Sequence, residues 1–217
     1  MNKKGFTLAE ILITLTVIGV VAALTIPTLL QNTNQAELKT AWKKAYGDLS
    51  QAAIIMKNEN GGDLKGYFAD ETGLINKFSE KLSYIKKCDS SNFSDVGCWY
   101  SNGLKQLNGV DYTGFNSAGQ SALILNNGTY LRFIGTDLAT CNNHNFYVTE
   151  PDGGGLCGYL LVDVNGAVKP PNTIGKDAFI VYILKGNTAP GGTLDDRAGS
   201  CTSSSLGWSC AAEYLYE

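Results

Sequence analysis

The hydrophobic pattern changes period along the chain. Residues 6–30, FTLAEILITLTVIGVVAALTIPTLL, form an apolar run with one formal charge, Glu10. As a helix rising about 1.5 Å per residue, this run spans a hydrocarbon core of roughly 30 Å. Lys3 and Lys4 precede it, which predicts a cytoplasmic N-terminus and an extracytoplasmic remainder. Residues 31–59 then switch to steps of three and four: Leu38, Trp42, Ala45, Leu49, Ala52 or Ala53, and Met56. Such spacing places one apolar stripe on a helix. Asn60-Gly61-Gly62 supplies its stop. Pro27 removes one backbone donor and crowds the preceding turn, so it predicts a kink; the alternative is a break between an anchor and a separate helix. Because helical spacing persists beyond Pro27, the expectation is one helix of about 80 Å from Phe6 to about Asn58.

Residues 71–87 repeat helical spacing at Leu74, Ile75, Phe78, Leu82 and Ile85, which predicts a short helix. Residues 88–119 are rich in Ser, Asn, Gly and Asp and read as loop, with a short strand around Trp99-Tyr100. Two apolar runs, 121–125 and 129–134, flank Asn126-Asn127-Gly128 and predict a β-hairpin. Further strands are expected at 158–164 and 178–184. About four strands with short connections make a mostly antiparallel sheet. One face should pack on the long helix and the other can be partly wet. The fold class expected is α+β, a long N-terminal helix packed on a small antiparallel sheet.

Composition narrows the function. From Asn60 onward there are 16 acidic and 11 basic residues, a net of −5. No basic stripe is available to meet phosphates, so nucleic acid is not an expected partner of the head. All six cysteines, Cys88, Cys98, Cys141, Cys157, Cys201 and Cys210, lie beyond the apolar run. That fits an oxidising compartment and up to three disulfides. Fifteen pairings are open; proximity favours Cys88–Cys98, Cys141–Cys157 and Cys201–Cys210. A zinc site is disfavoured, since no C-x-x-C occurs and His144 is the lone histidine.

Enzyme signatures are missing, with no G-x-S-x-G elbow, P-loop or H-E-x-x-H. His144 sits in a polar loop and reads as solvated. Asp152-Gly153-Gly154-Gly155 follows Pro151 with no helix after it, so it reads as a flexible turn rather than a phosphate cradle. No cofactor is expected, with one exception to weigh. Asp163, Asn165 and Asp177 lie between two apolar runs and are candidate oxygen ligands for Ca²⁺. Their spacing departs from an EF-hand loop. The competing reading is a turn at Asn165-Gly166 with Asp177 capping a loop.

The apolar run is not an ordinary secretory signal. It is too long for an h-region and lacks a small-x-small pattern at its far end. The small residue Gly5 stands instead on the near side, directly after the lysines. Lys3-Lys4-Gly5-Phe6-Thr7-Leu8-Ala9-Glu10 resembles the class III leader junction of type IV pilins and type II secretion pseudopilins. The resemblance covers residues 1 to about 30 closely; beyond them it is one of architecture. It implies that a prepilin peptidase cuts between Gly5 and Phe6 and N-methylates Phe6. Glu10 becomes the fifth residue of the mature chain and an assembly determinant. Pro27 falls where many members carry a kinking proline. The implied organisation is a leader at 1–5, a transmembrane and assembly helix at 6–30, its amphipathic continuation at 31–59 and a globular head at 60–217. The implied function is structural and non-enzymatic: a subunit of a pilus-like or secretion filament. Its partners would be further pilin-like subunits, the peptidase, an inner-membrane assembly platform and membrane lipid. The implied location is the inner membrane, single-pass, then a periplasmic pseudopilus or surface pilus. The alternative is a membrane-tethered extracytoplasmic binding module or enzyme, which has no need of Gly5, Phe6 or Glu10.

Overall fold

The computed structural model describes residues 5, 7–89, 91–115, 121–135, 137–142, 155–192 and 200–217. The chain divides into two units, Met1–Glu37 and Leu38–Glu217. Helix α1, Leu8–Glu59, is continuous and holds Pro27 in its interior.

In the first unit the apolar side chains of α1, such as Leu12, Ile18, Leu24 and Leu29, are exposed. Polar threonines punctuate the stretch, and their hydroxyls are satisfied within the helix. Thr16, Thr25 and Thr33 donate to the carbonyls of Leu12, Val21 and Leu29 at 2.7–2.9 Å. A hydroxyl bonded in this way presents little unmet polarity to an apolar surround. The stretch is long and apolar enough to cross a membrane.

The second unit begins inside α1. It continues with α2 (Glu71–Lys81), β1 (Tyr84–Cys88), β2 (Leu104–Lys105), β3 (Asp111–Tyr112), β4 (Ala122–Leu125), β5 (Tyr130–Gly135), β6 (Leu156–Asp163), β7 (Ala178–Leu184), β8 (Thr188–Pro190) and α3 (Cys210–Tyr216). Six strands form one sheet in the order β1-β4-β5-β6-β7-β8, and every neighbouring pair is antiparallel. Strands β2 and β3 make a separate ribbon. The stripe of α1 lies on one face: Trp42, Ala45, Leu49, Ala52, Ala53 and Met56 are buried with Leu131, Phe133, Leu160, Val162, Phe179 and Val181. Trp42 joins three elements. Its ring stacks on Phe179 at 4.6 Å, and its Nε1 donates to the Ala211 carbonyl at 2.9 Å.

Four expectations require correction. The helix predicted over 71–87 ends at Lys81. Its start is fixed by Asp70, whose carboxylate accepts the Gly73 N–H at 2.6 Å. Its end is extended backbone at Leu82, and the chain turns back as β1 to pair with β4. Helical spacing at Leu82 and Ile85 is also compatible with a strand, and the open edge of β4 decides it. Trp99-Tyr100 is not a strand. Tyr100 is instead a core residue, packed edge-on against Tyr130 at 5.4 Å. The sheet has two more strands than expected, β1 and β8, and the tail carries α3. Finally, the second sheet face is not wet. Tyr130, Tyr159, Leu161, Ile180 and Tyr182 on that face are covered by Tyr100, Leu104, Phe115 and Trp208. Strands β6 and β7 are therefore buried at every position.

The bridges Cys88–Cys98, Cys141–Cys157 and Cys201–Cys210 each close a local loop.

Candidate functional site

Two polar sites stand out, one in each unit. At the start of α1, Thr7 is the last residue before the helix. Glu10 Oε2 accepts both the Thr7 N–H and the Thr7 hydroxyl at 2.8 Å. Thr7 Oγ1 in turn accepts the Glu10 N–H at 3.3 Å. This is a reciprocal capping box, T-x-x-E, which satisfies donors that a helix start leaves orphaned. The signal was present in Thr7-Leu8-Ala9-Glu10, but sequence reasoning assigned Glu10 to assembly alone. The carboxylate also sits where the positive end of the helix dipole favours it. Gly5 is exposed, and a Cβ added there would meet nothing within 4 Å. Phe6, the expected site of cleavage and methylation, lies outside the described residues, as do Lys3 and Lys4.

The second site is the connection from β6 to β7, residues 164–177. Asp163 ends β6 and stands opposite Ala178 at the start of β7. Asp163 and Asp177 are both fully buried. Asp163 Oδ1 accepts the N–H groups of Asn165 at 3.2 Å and Gly166 at 2.9 Å, which folds the Asn165-Gly166 turn. Gly166 has φ +88°, and a Cβ there would lie 2.7 Å from the Gly128 carbonyl oxygen. Only glycine fits both conditions. Asp177 accepts the Thr173 N–H at 2.7 Å and the Asn172 N–H at 2.8 Å, so it caps the loop. Asn172 itself is left-handed, with φ +48°. Its Nδ2 donates to the Ala167 carbonyl at 3.2 Å, and Asn165 Nδ2 donates to that of Pro170 at 3.1 Å.

The turn and the cap expected at Asn165-Gly166 and Asp177 are thus both present. Burial, reinforced by the Asp177 charge, holds the Asp163 carboxyl well above the usual carboxylate range. Burial raises Asp177 as well. Among the described residues, no three His, Cys, Asp or Glu side chains converge as a metal-binding group. Asn172 was not singled out beforehand as an oxygen donor, although it follows Pro170-Pro171 within the same polar cluster. His144 and the glycines Gly153 and Gly154 lie outside the described residues.

Comparison with protein families finds the prokaryotic N-terminal methylation motif at residues 1–26. This is the prepilin cleavage signal of type IV pilins and pseudopilins, and it contains Gly5, Phe6 and Glu10. No curated protein and no solved structure matches the chain.

Proposed function

We propose that the protein is a structural subunit of a type IV pilus-like or type II secretion filament. The observation that carries this reading is the methylation motif joined directly to a 52-residue helix. In this reading the lysines hold the leader in the cytoplasm and the apolar part of α1 crosses the inner membrane. A prepilin peptidase removes residues 1–5 and methylates the new Phe6 amine. An assembly platform then withdraws subunits and stacks them through their N-terminal helices, with further pilin-like subunits as partners. Lipid and packed helices are alternative apolar surrounds for the exposed side chains of the first unit, so each subunit exchanges one for the other. The disulfide-closed loops suit an extracytoplasmic head. Its role is packing rather than catalysis.

The deciding experiment is intact mass and N-terminal sequencing of the protein from membranes. The expected mature chain starts at a methylated Phe6. A chain starting at Met1, or beyond residue 30, overturns the proposal. Gly5→Val isolates the peptidase step. The space around Gly5 is open, so the substitution leaves the fold intact. It is expected to leave unprocessed precursor in the membrane, read as a mass that retains the leader.

A further inference from the structure

The loop between β6 and β7 has more buried oxygen than its own fold uses. Capping accounts for Asp163 Oδ1 and for both Asp177 oxygens. It leaves Asp163 Oδ2, Asn165 Oδ1 and Asn172 Oδ1 buried with no hydrogen-bond partner. Asn172 is 3 % exposed, and its amide nitrogen is already committed to Ala167. Its orientation is therefore fixed with the oxygen as the unmet end. Such groups are rare in native interiors, because each forfeits its hydration without replacement. Here three occur within ten residues of chain, beside two buried carboxylates. Among the described residues no lysine or arginine forms an ion pair with either carboxylate.

We propose that this loop is a divalent-cation site, with Asp163, Asn165, Asn172 and Asp177 as its oxygen donors and Ca²⁺ as its ion. The donor chemistry selects the ion. All four side chains offer hard oxygen, and none offers sulfur or imidazole, which argues against zinc and copper. Two carboxylates neutralise a divalent charge, and two amide oxygens extend the shell. Ca²⁺ accepts six to eight oxygens in irregular geometry, leaving remaining positions to water or backbone carbonyls. Mg²⁺ demands a regular octahedron and keeps its water, which a buried loop built from turns does not provide. A carboxylate oxygen that accepts an N–H retains a lone pair, so Asp177 can cap the loop and bind the ion together. The ion would tie the end of β6 to the start of β7 and hold the turn at Gly166 against Gly128.

This goes beyond the filament reading and fails separately from it, since it needs no processing at Gly5. The test uses the full-length protein in detergent, stripped with EGTA and titrated with calcium. One calcium per chain is expected by equilibrium dialysis. The melting temperature should rise saturably with free calcium and fall again with EGTA, because the ion binds only the folded loop. Magnesium at the same concentration should give a smaller shift. Asp163→Asn keeps the shape and removes a charge, and it should abolish the calcium-dependent shift. Asn165→Ala removes a donor at the half-exposed rim, where folding is least disturbed. It should lower calcium affinity by about tenfold or more while the near-ultraviolet spectrum stays native. No bound calcium and no shift in the parent protein overturns the site, and water then meets the orphaned oxygens. Calcium binding that survives unchanged in a folded Asn165→Ala and in Asp163→Asn overturns it equally, because the ion then sits elsewhere.

Discussion

At the scale of the residue, Glu10 has two roles that separate cleanly. Within the chain it closes the capping box with Thr7. In the proposed filament it is the one formal charge in the apolar run, where a carboxylate near a helix centre costs about 2.5–3.5 kcal/mol on insertion scales. A charge of that kind needs a partner, and the Phe6 amine created by cleavage is the nearest cation by sequence. Breaking a buried pair by removing one member costs about 3–5 kcal/mol. Glu10→Val is therefore expected to enter the membrane and be cleaved, yet to give few filaments at an equal membrane pool. Thr7→Val keeps the charge and removes the hydroxyl cap, worth about 0.5–2 kcal/mol. Amide exchange over the first turn of α1 should quicken in Thr7→Val while filament yield holds. Normal filaments from Glu10→Val would assign the carboxylate to capping alone.

At the scale of the element, α1 and the sheet depend on Trp42. Its ring stacks on Phe179, and its indole N–H holds α3 through Ala211. Trp42→Ala is expected to lower stability by about 3–5 kcal/mol, measured by denaturant unfolding. Trp42→Phe retains most of the ring but loses the hydrogen bond, worth about 0.5–1.5 kcal/mol. The stripe to which Trp42 belongs was legible because steps of three and four leave little alternative over twenty residues. Strand β7 was legible as an apolar run, and its apolar residues on both parities already implied burial on both faces. That second implication was not drawn. The end of α2 was not legible, because the spacing of Leu82 and Ile85 suits both states and pairing across to β4 decides between them. The capping box was legible in four consecutive residues and passed over because Glu10 already had a role.

At the scale of the whole molecule, the second unit has two apolar layers, one on each face of the sheet. The layer under Tyr100, Phe115 and Trp208 is built from irregular chain, rich in glycine and serine, in which no period marks a buried side. Composition made these segments look like surface, and only the sheet face beneath them reveals their packing. The disulfides restrain such segments. The loops closed by Cys88–Cys98 and Cys201–Cys210, with sequence separations of 10 and 9, should each contribute about 2–3 kcal/mol. The denatured, unreduced protein is expected to show few or no reactive thiols, and six would overturn the bridges. Paired replacement of Cys201 and Cys210 by serine should loosen α3 first. Limited proteolysis near the C-terminus reads that directly. Gly207 reinforces the same region, since its φ is +86° and a Cβ would lie 2.2 Å from the Ile174 carbonyl oxygen.

The C-terminal residue, Glu217, forms an ion pair with Lys39, at the beginning of the second unit. The head thus starts and finishes at nearly one point on its surface. A polypeptide with adjoining ends is a module that can be cut out and set into a loop of another protein with little distortion. The same geometry makes the C-terminus a poor place for a purification tag. Added residues there would crowd Lys39 and the anchorage of α3, whereas the Asn126-Asn127-Gly128 turn offers an insertion point far from both in sequence.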